Sequence, residues 1–446
     1  MSRSRSKDQN WMSNRDALDV SDPQKIPTFY ALGLRNYRLL WAGNVFASLG
    51  MWIQMATLGW LVYDMTGSGT MLGGMNAMRA IPILLLSPLS GVAADRMDRR
   101  VLMLSVQVVM VVVTLAMTAG LYLDKIEVWH LFAFAVVAGI MQVLLMPTQQ
   151  TVLFDLVPRL AIPNAVALGS AAFNVTRVLG PSAAGMLIAW LGPEGNFLVQ
   201  ALAYVGVFIS VAMIVFPARR AVVHQTSVVR NMLDGFRYVA GDATARMLLM
   251  MAVIPPLFII PSFMGLMPVF AKDVFHGGPQ ALGVLLSATG LGGLLGALFT
   301  ASLGSFDRRG LLELGTLLAS GASLLLFALM DSMYPALAFL VVVGFCEMVY
   351  MTTNQTVLQL AVPDSMRGRV TSIFLLNMGL MPLGTLFFGA AADLVGAQVV
   401  VRWASLAVLL LAVLILALVP RMRNLRLSHL VHSSNELPSG GTEAPA

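Results

Sequence analysis

Hydrophobic residues in this chain fall in long, nearly unbroken stretches, with polar residues gathered in short breaks between them. Most stretches suffice to cross a hydrocarbon layer of about 30 Å as a helix. Hydropathy places them near 39–63, 71–94, 101–123, 129–152, 165–188 and 194–216, then 247–271, 279–303, 310–330, 334–358, 370–392 and 397–419. A polar, Arg-bearing linker at 217–245 parts the two sets. The runs do not alternate as the strands of a β-barrel would. The fold expected is therefore an all-α membrane protein with twelve transmembrane helices. Gly and Ala at close spacing in many runs allow tight helix packing in lipid.

The chain also repeats itself. Met146-Pro147-Thr148-Gln149-Gln150-Thr151-Val152-Leu153 returns as Met351-Thr352-Thr353-Asn354-Gln355-Thr356-Val357-Leu358, and Val157-Pro158 returns as Val362-Pro363 at the same offset of 205. Asp64, Leu72-Gly73 and Asp98-Arg99-Arg100 reappear as Asp273, Leu282-Gly283 and Asp307-Arg308-Arg309, offset by 209 to 210. The organisation expected is an N-terminal segment 1–36, a six-helix half 37–216, the linker 217–245, a second six-helix half 246–420, and a disordered tail 421–446. Halves repeated in one orientation are how many secondary transporters are built, with the substrate site where the halves meet.

Composition removes the soluble alternatives. The hydrophobic share is 58%, charged residues are 11%, and mean hydropathy is +0.80, too few charges to solvate a soluble fold of this length. A single cysteine, Cys346, excludes a disulfide framework. The net charge of +6 is explained by placement. With the N-terminus inside, the inner segments hold Arg96, Arg99, Arg100, Arg159, Arg219, Arg220, Arg230, Arg237, Arg308, Arg309, Arg367, Arg369, Arg421, Arg423 and Arg426. The outer loops hold little beyond Lys125, Lys272 and Arg402. This is a positive-inside pattern with both termini cytoplasmic. Its expected partner is anionic membrane lipid, not nucleic acid. The polar, basic first thirty residues show no signal-peptide pattern.

The break after the second run reads Gly91-Val92-Ala93-Ala94-Asp95-Arg96-Met97-Asp98-Arg99-Arg100. A glycine at a helix end permits close approach, and the acid and arginines can form a gating latch. Positive-inside charge alone is the plainer reading, but it leaves Gly91 and Asp95 without a role. The pattern resembles the signature loop of the major facilitator superfamily; the second copy keeps Asp307-Arg308-Arg309 with Gly304 near the position of Asp95. Asn36-Tyr37-Arg38-Leu39-Leu40-Trp41, Gly59-Trp60-Leu61-Val62-Tyr63, Thr66-Gly67-Ser68 and Val362-Pro363-Asp364-Ser365-Met366-Arg367-Gly368-Arg369-Val370 look like the enterobactin-exporter and macrolide-efflux branch. Gly169, Gly180-Pro181 and Gly185 resemble the Gly-Pro motif of antiporters in that superfamily, although Gly180-Pro181 also reads as a plain helix kink. The resemblance implies proton-driven export of a small molecule across the inner membrane of a bacterium by a monomeric protein. Import on the same fold, or a non-transporting receptor or scaffold, stays open.

Ionisable residues inside the runs are the remaining signal. Glu347 lies midway along the tenth run, and the offset of 205 sets it opposite Gln142. Glu347, Met351 and Asn354 share one helical face, as do Gln142, Met146 and Gln149. The expectation is two matched polar stripes lining one cavity, with Glu347 exchanging the coupling proton; a Glu held in a helix interface is the alternative. Arg79 and Arg177 are membrane-embedded arginines without an arginine partner in the other half. Arg79 either lines the cavity or snorkels. Arg177 is deeper, and is read as a substrate contact or as the counter-charge of Glu347. Gln54 joins the cavity set. No phosphate-binding loop occurs, and the five histidines form no ligand cluster, so neither an enzyme nor a cofactor is expected.

Overall fold

The computed structural model describes residues 27–216, 228–304 and 306–428. The described residues are helical, with no strand among them. In chain order the helices are α1 (Arg35–Thr66), α2 (Gly69–Arg96), α3 (Arg99–Tyr122), α4 (Val128–Leu156), α5 (Ile162–Met213) and α6 (Val228–Gly241). They continue as α7 (Ala243–Val274), α8 (Pro279–Ser302), α9 (Arg309–Phe327), α10 (Met333–Ala361), α11 (Asp364–Leu376), α12 (Met381–Val395) and α13 (Ala397–Leu418). Ten helical stretches among the described residues are long and apolar enough to cross a membrane.

Three departures from the predicted runs have local causes. The fifth and sixth runs join in α5, whose 52 residues would extend about 80 Å as a straight helix. The chain reverses instead at Gly192, where φ is +72°, a conformation glycine adopts without Cβ strain. Helical backbone continues through Gly180-Pro181, with Pro181 inside the helix, and the break in φ/ψ falls at Gly192. In α7, Pro255, Pro256 and Pro261 remove backbone donors, and the middle of the helix widens into π turns. The eleventh run is interrupted by a 3₁₀ turn at Asn377–Leu380, ahead of Pro382.

The helices before the linker make up the first half and those after it the second. Within the first half α1 and α3 pack on α5, and α2 packs on α4; within the second, α10 packs on α8 and α9. The halves meet along two lines, α2 against α12 and α5 against α8. Glycines set both. A Cβ at Gly73 would lie 2.6 Å from the Leu386 Cα, and one at Gly290 would lie 2.6 Å from the Arg177 carbonyl oxygen. Such backbone contact is how helices associate where lipid offers no hydrophobic drive.

The tail departs from expectation near its start. Residues Pro420–Arg423 form a helical turn, Met422 and Leu425 are buried, and Leu427 N donates to the Asp307 carbonyl at 2.9 Å. Segment 420–428 is thus docked beneath the start of α9; residues 429–446 lie outside the described set.

Candidate functional site

At mid-depth an ion pair crosses the seam. Arg177 on α5 reaches past α8 to Glu347 on α10, with Nη2 to Oε2 at 3.6 Å. The guanidinium lies along Gly293, where a Cβ would come within 3.0 Å of it. The two side chains are only 14% and 12% exposed, so screening by water is weak. The Ser182 hydroxyl donates to that of Ser287 at 2.7 Å nearby, also across the seam.

The end of the bundle away from the described termini is closed by reciprocal contacts. Tyr63 donates its hydroxyl to Asp273, and Lys272 Nζ donates to Asp64 Oδ1 at 2.6 Å. Positions 63 and 272, like 64 and 273, are 209 apart, so each half presents one donor and one acid to the other. Asp393 on α12 then caps α2 of the opposite half, accepting from Gly69 N at 2.6 Å, Thr70 N at 2.9 Å and the Ser68 and Thr70 hydroxyls. A carboxylate suits a helix N-terminus, where free N–H groups converge. Beneath these contacts the seam holds a cavity of about 40 Å³ lined by Met55, Met75, Met264, Met381, apolar neighbours and Asn76.

The expectation of two matched stripes facing one cavity does not hold. Asn354 is 1% exposed and donates to the Leu248 carbonyl and to Glu313 Oε2, each at 3.2 Å. It faces the interior of the second half because α10 is enclosed on that side by α7 and α9. Gln54 is likewise buried, accepting from Gln200 Nε2 and the Tyr204 hydroxyl at 2.9 Å between α1 and α5; it joins helices instead of lining a cavity. Arg79 does not snorkel, because its Nη2 donates to Gln142 Oε1 at 2.9 Å. Gln149 and Met351 are half-buried and Met146 is 48% exposed.

A second buried acid lies within the described spans. Glu313, four residues into α9 and fully buried, escaped sequence reading because its run starts with a charged loop. The signal was its spacing: Arg309, Glu313, Thr316, Ser320 and Ser323 repeat at helical period, and all five are buried.

The loop motif is tied inward. Asp98 caps α3 by accepting from Val101 N at 3.0 Å, Arg99 pairs with Asp155 on α4, and Arg100 Nη2 donates to the Ala212 carbonyl at 2.6 Å. Gly91, Asp95 and Arg96 lie in the last turns of α2, and the surroundings of their side chains are outside the described set. In the second copy Asp307 Oδ1 accepts from Ser428 N at 2.8 Å, Arg308 is exposed, and Arg309 is buried with Nη2 on the Gly304 carbonyl at 2.7 Å. On the linker, Asp234 of α6 pairs with Arg369 of α11 at 3.3 Å.

Comparison with known proteins places this architecture. The family model described as transmembrane secretion effector matches residues 27–440. The chain belongs to that family, a branch of the major facilitator superfamily. Its curated relatives are transporters, not enzymes. This family member is 27% identical to the staphyloferrin A transporter of Staphylococcus aureus (strain NCTC 8325 / PS 47), over 78% of this chain and 87% of that one. It is 26% identical to the multidrug efflux pump Tap of Mycolicibacterium fortuitum, over 86% and 95%, and 22% identical to macrolide efflux protein A of Streptococcus pyogenes, over 80% and 89%. Among solved structures, the nucleoside transporter NupG superposes with a TM-score of 0.69 at 15% identity, covering 86% of this chain and 98% of that one. A bacterial homologue of the iron transporter ferroportin, in an inward-facing state, gives 0.67 at 17%, covering 85% and 97%. At these identities the likeness is one of fold.

Proposed function

We propose that this chain is a proton-coupled exporter of a small organic molecule, working by alternating access between two six-helix halves. Dividing α5 at Gly192 and joining α11 to α12 as one interrupted crossing gives twelve spans. With the positive-inside orientation, the end closed by Tyr63, Asp64, Lys272, Asp273 and Asp393 faces outward, so the state described here is closed on the outer side of a bacterial inner membrane. Both termini then lie in the cytoplasm, and one chain suffices as the working unit.

The observation that carries this reading is the Arg177–Glu347 pair at mid-depth. An ion pair between two moving halves is made in one state and broken in another, and a proton on Glu347 substitutes for the lost cation. The seam cavity of about 40 Å³ is too small for such a molecule in this state, and its four methionines, which adapt their shape, are where it would widen around an apolar ligand. Gating falls to Arg99 with Asp155 and, in the second half, to Asp307 and Arg309, with Gly91, Asp95, Arg96, Arg100 and Arg308 completing the two loops.

The test is flux in sealed vesicles containing purified protein, with a pH gradient imposed and a panel of siderophores, macrolides and cationic dyes as probes. Saturable, gradient-dependent movement out of the cytoplasmic-side compartment is expected. Gradient-driven movement the other way would make the protein an importer. No flux of any probe, with saturable binding retained, would favour a receptor.

A further inference from the structure

Glu313 presents a second piece of chemistry that the seam pair does not use. It is 0% exposed, Oε2 accepts a single hydrogen bond from the Asn354 amide, and Oε1 makes none. The Asn354 Oδ1 beside it is also a buried acceptor with no donor. Among the described residues no ion pair reaches Glu313. An ionised carboxylate in such a place would lack both water and a counter-charge, the costliest way to bury a polar group. A proton on Oε1 instead turns one of two orphaned acceptors into a donor.

The missing cation is one turn away. Arg309 stands at i−4 on α9, the spacing at which side chains share a face. It is buried, its Nη2 engages the Gly304 carbonyl, and its Nε has no partner. The other charged or titratable groups around α9 are Asp307 and the exposed Arg308 just ahead of it, the exposed Arg426 of the docked segment, Tyr350 on α10, whose hydroxyl donates to the Met251 carbonyl, and four further arginines. Arg421 and Arg423 lie on the docked turn and Arg246 at the start of α7, all exposed; Arg402 on α13 bonds the Ala328 carbonyl at the opposite end of the bundle. The docked segment covers the start of α9, one turn from Glu313. A Cβ at Gly310 would sit 1.8 Å from the Met422 carbonyl oxygen, so the backbone of 420–428 lies directly on the first turn of α9, at the residue after Arg309.

We propose that Glu313 is a proton-carrying site of the second half, held as the neutral acid one turn from segment 420–428 and discharged when Arg309 swings to pair with it. The step balances simply. The Glu313 O–H bond breaks, its proton passes to water at the cytoplasmic face, and the carboxylate left behind is matched by the guanidinium, which stays charged throughout. Helix α10 links this site to the seam, because Glu347 and Asn354 lie two turns apart on it. Rearrangement of the Arg177–Glu347 pair is therefore transmitted to the amide that bonds Glu313. This inference rests on the proton-coupled reading above and gives it a second site.

The experiment is an infrared titration of the full-length protein in lipid vesicles, without substrate, following the carbonyl stretch of protonated carboxylic acids. The wild type minus Glu313→Gln difference should contain an acid band at neutral pH that disappears on alkalinisation. With Arg309→Gln the same band should persist about one pH unit or more higher, the scale set by one charge-assisted interaction. Should that variant fail to fold, Gly310→Ala, which displaces the docked backbone, should move the band's loss to lower pH. Absence of an acid band from the difference overturns the site. Unchanged midpoints in the folded Arg309 and Gly310 variants overturn the switch. A wild type that moves no probe under a pH gradient would instead defeat the exporter reading and leave the infrared result intact.

Discussion

Removing the charge of Glu347 should damage the protein more than removing both partners of its ion pair. The pair sits at 3.6 Å with both side chains about seven-eighths buried. Coulomb attraction at an effective dielectric near 20 is then about 4–5 kcal/mol before desolvation is subtracted. Glu347→Gln leaves the Arg177 guanidinium buried without a counter-charge, a cost of about 3–5 kcal/mol by analogy with other broken buried pairs. Combining it with Arg177→Gln removes both desolvation costs and should recover most of that loss. Size scaling suggests roughly 1–2 °C of melting temperature per kcal/mol in a chain this long. Glu347→Gln should therefore melt about 3–10 °C below wild type in matched detergent, and the double variant only a few degrees below. In vesicles, Glu347→Gln should lose gradient-driven export but retain energy-independent exchange of the same probe, because amide and acid offer similar hydrogen bonds. Additive single effects in the double variant, together with full pH-gradient response in Glu347→Gln, would refute both the pair's energetic role and its part in coupling.

Three further outcomes follow from the seam and the loops. Arg99→Ala should slow transport several-fold with normal membrane insertion, and Arg99→Ala with Asp155→Asn should be no slower than either alone, as turnover of the reconstituted variants will show. Asp393→Asn weakens an exposed cap with four donors, worth about 1 kcal/mol at the surface. It should raise maleimide labelling of Thr385→Cys, in a Cys346→Ala background, by roughly fivefold as the seam opens more often. Gly290→Leu places a side chain where a Cβ already meets the Arg177 backbone at 2.6 Å; export should fall at least tenfold while the protein still inserts, measured as flux per inserted molecule.

The apolar runs, the arginine placement and the repeat register are properties of the chain alone, because the requirement to satisfy backbone polar groups in lipid leaves helix as the outcome for each run. The superfamily was legible for the same reason, its loop motif being contiguous in sequence. Arg177 and Glu347 could be named as embedded charges, and their pairing suggested, from depth. What needed the tertiary structure was which way each side chain faces once helices pack. Asn354 and Glu347 share a helical face, yet one is enclosed by α7 and α9 while the other meets α5 across the seam. Gln54 gives the same lesson, since only the approach of α5 supplies Gln200 and Tyr204 as partners. Glu313 lay hidden in a charged stretch, and only the packing of α10 on α9 sets it in the interior beside Asn354. Periodicity fixes a residue's angle on its own helix; its neighbours come from contacts distant in sequence, and these decide whether a polar group meets water, a partner or neither.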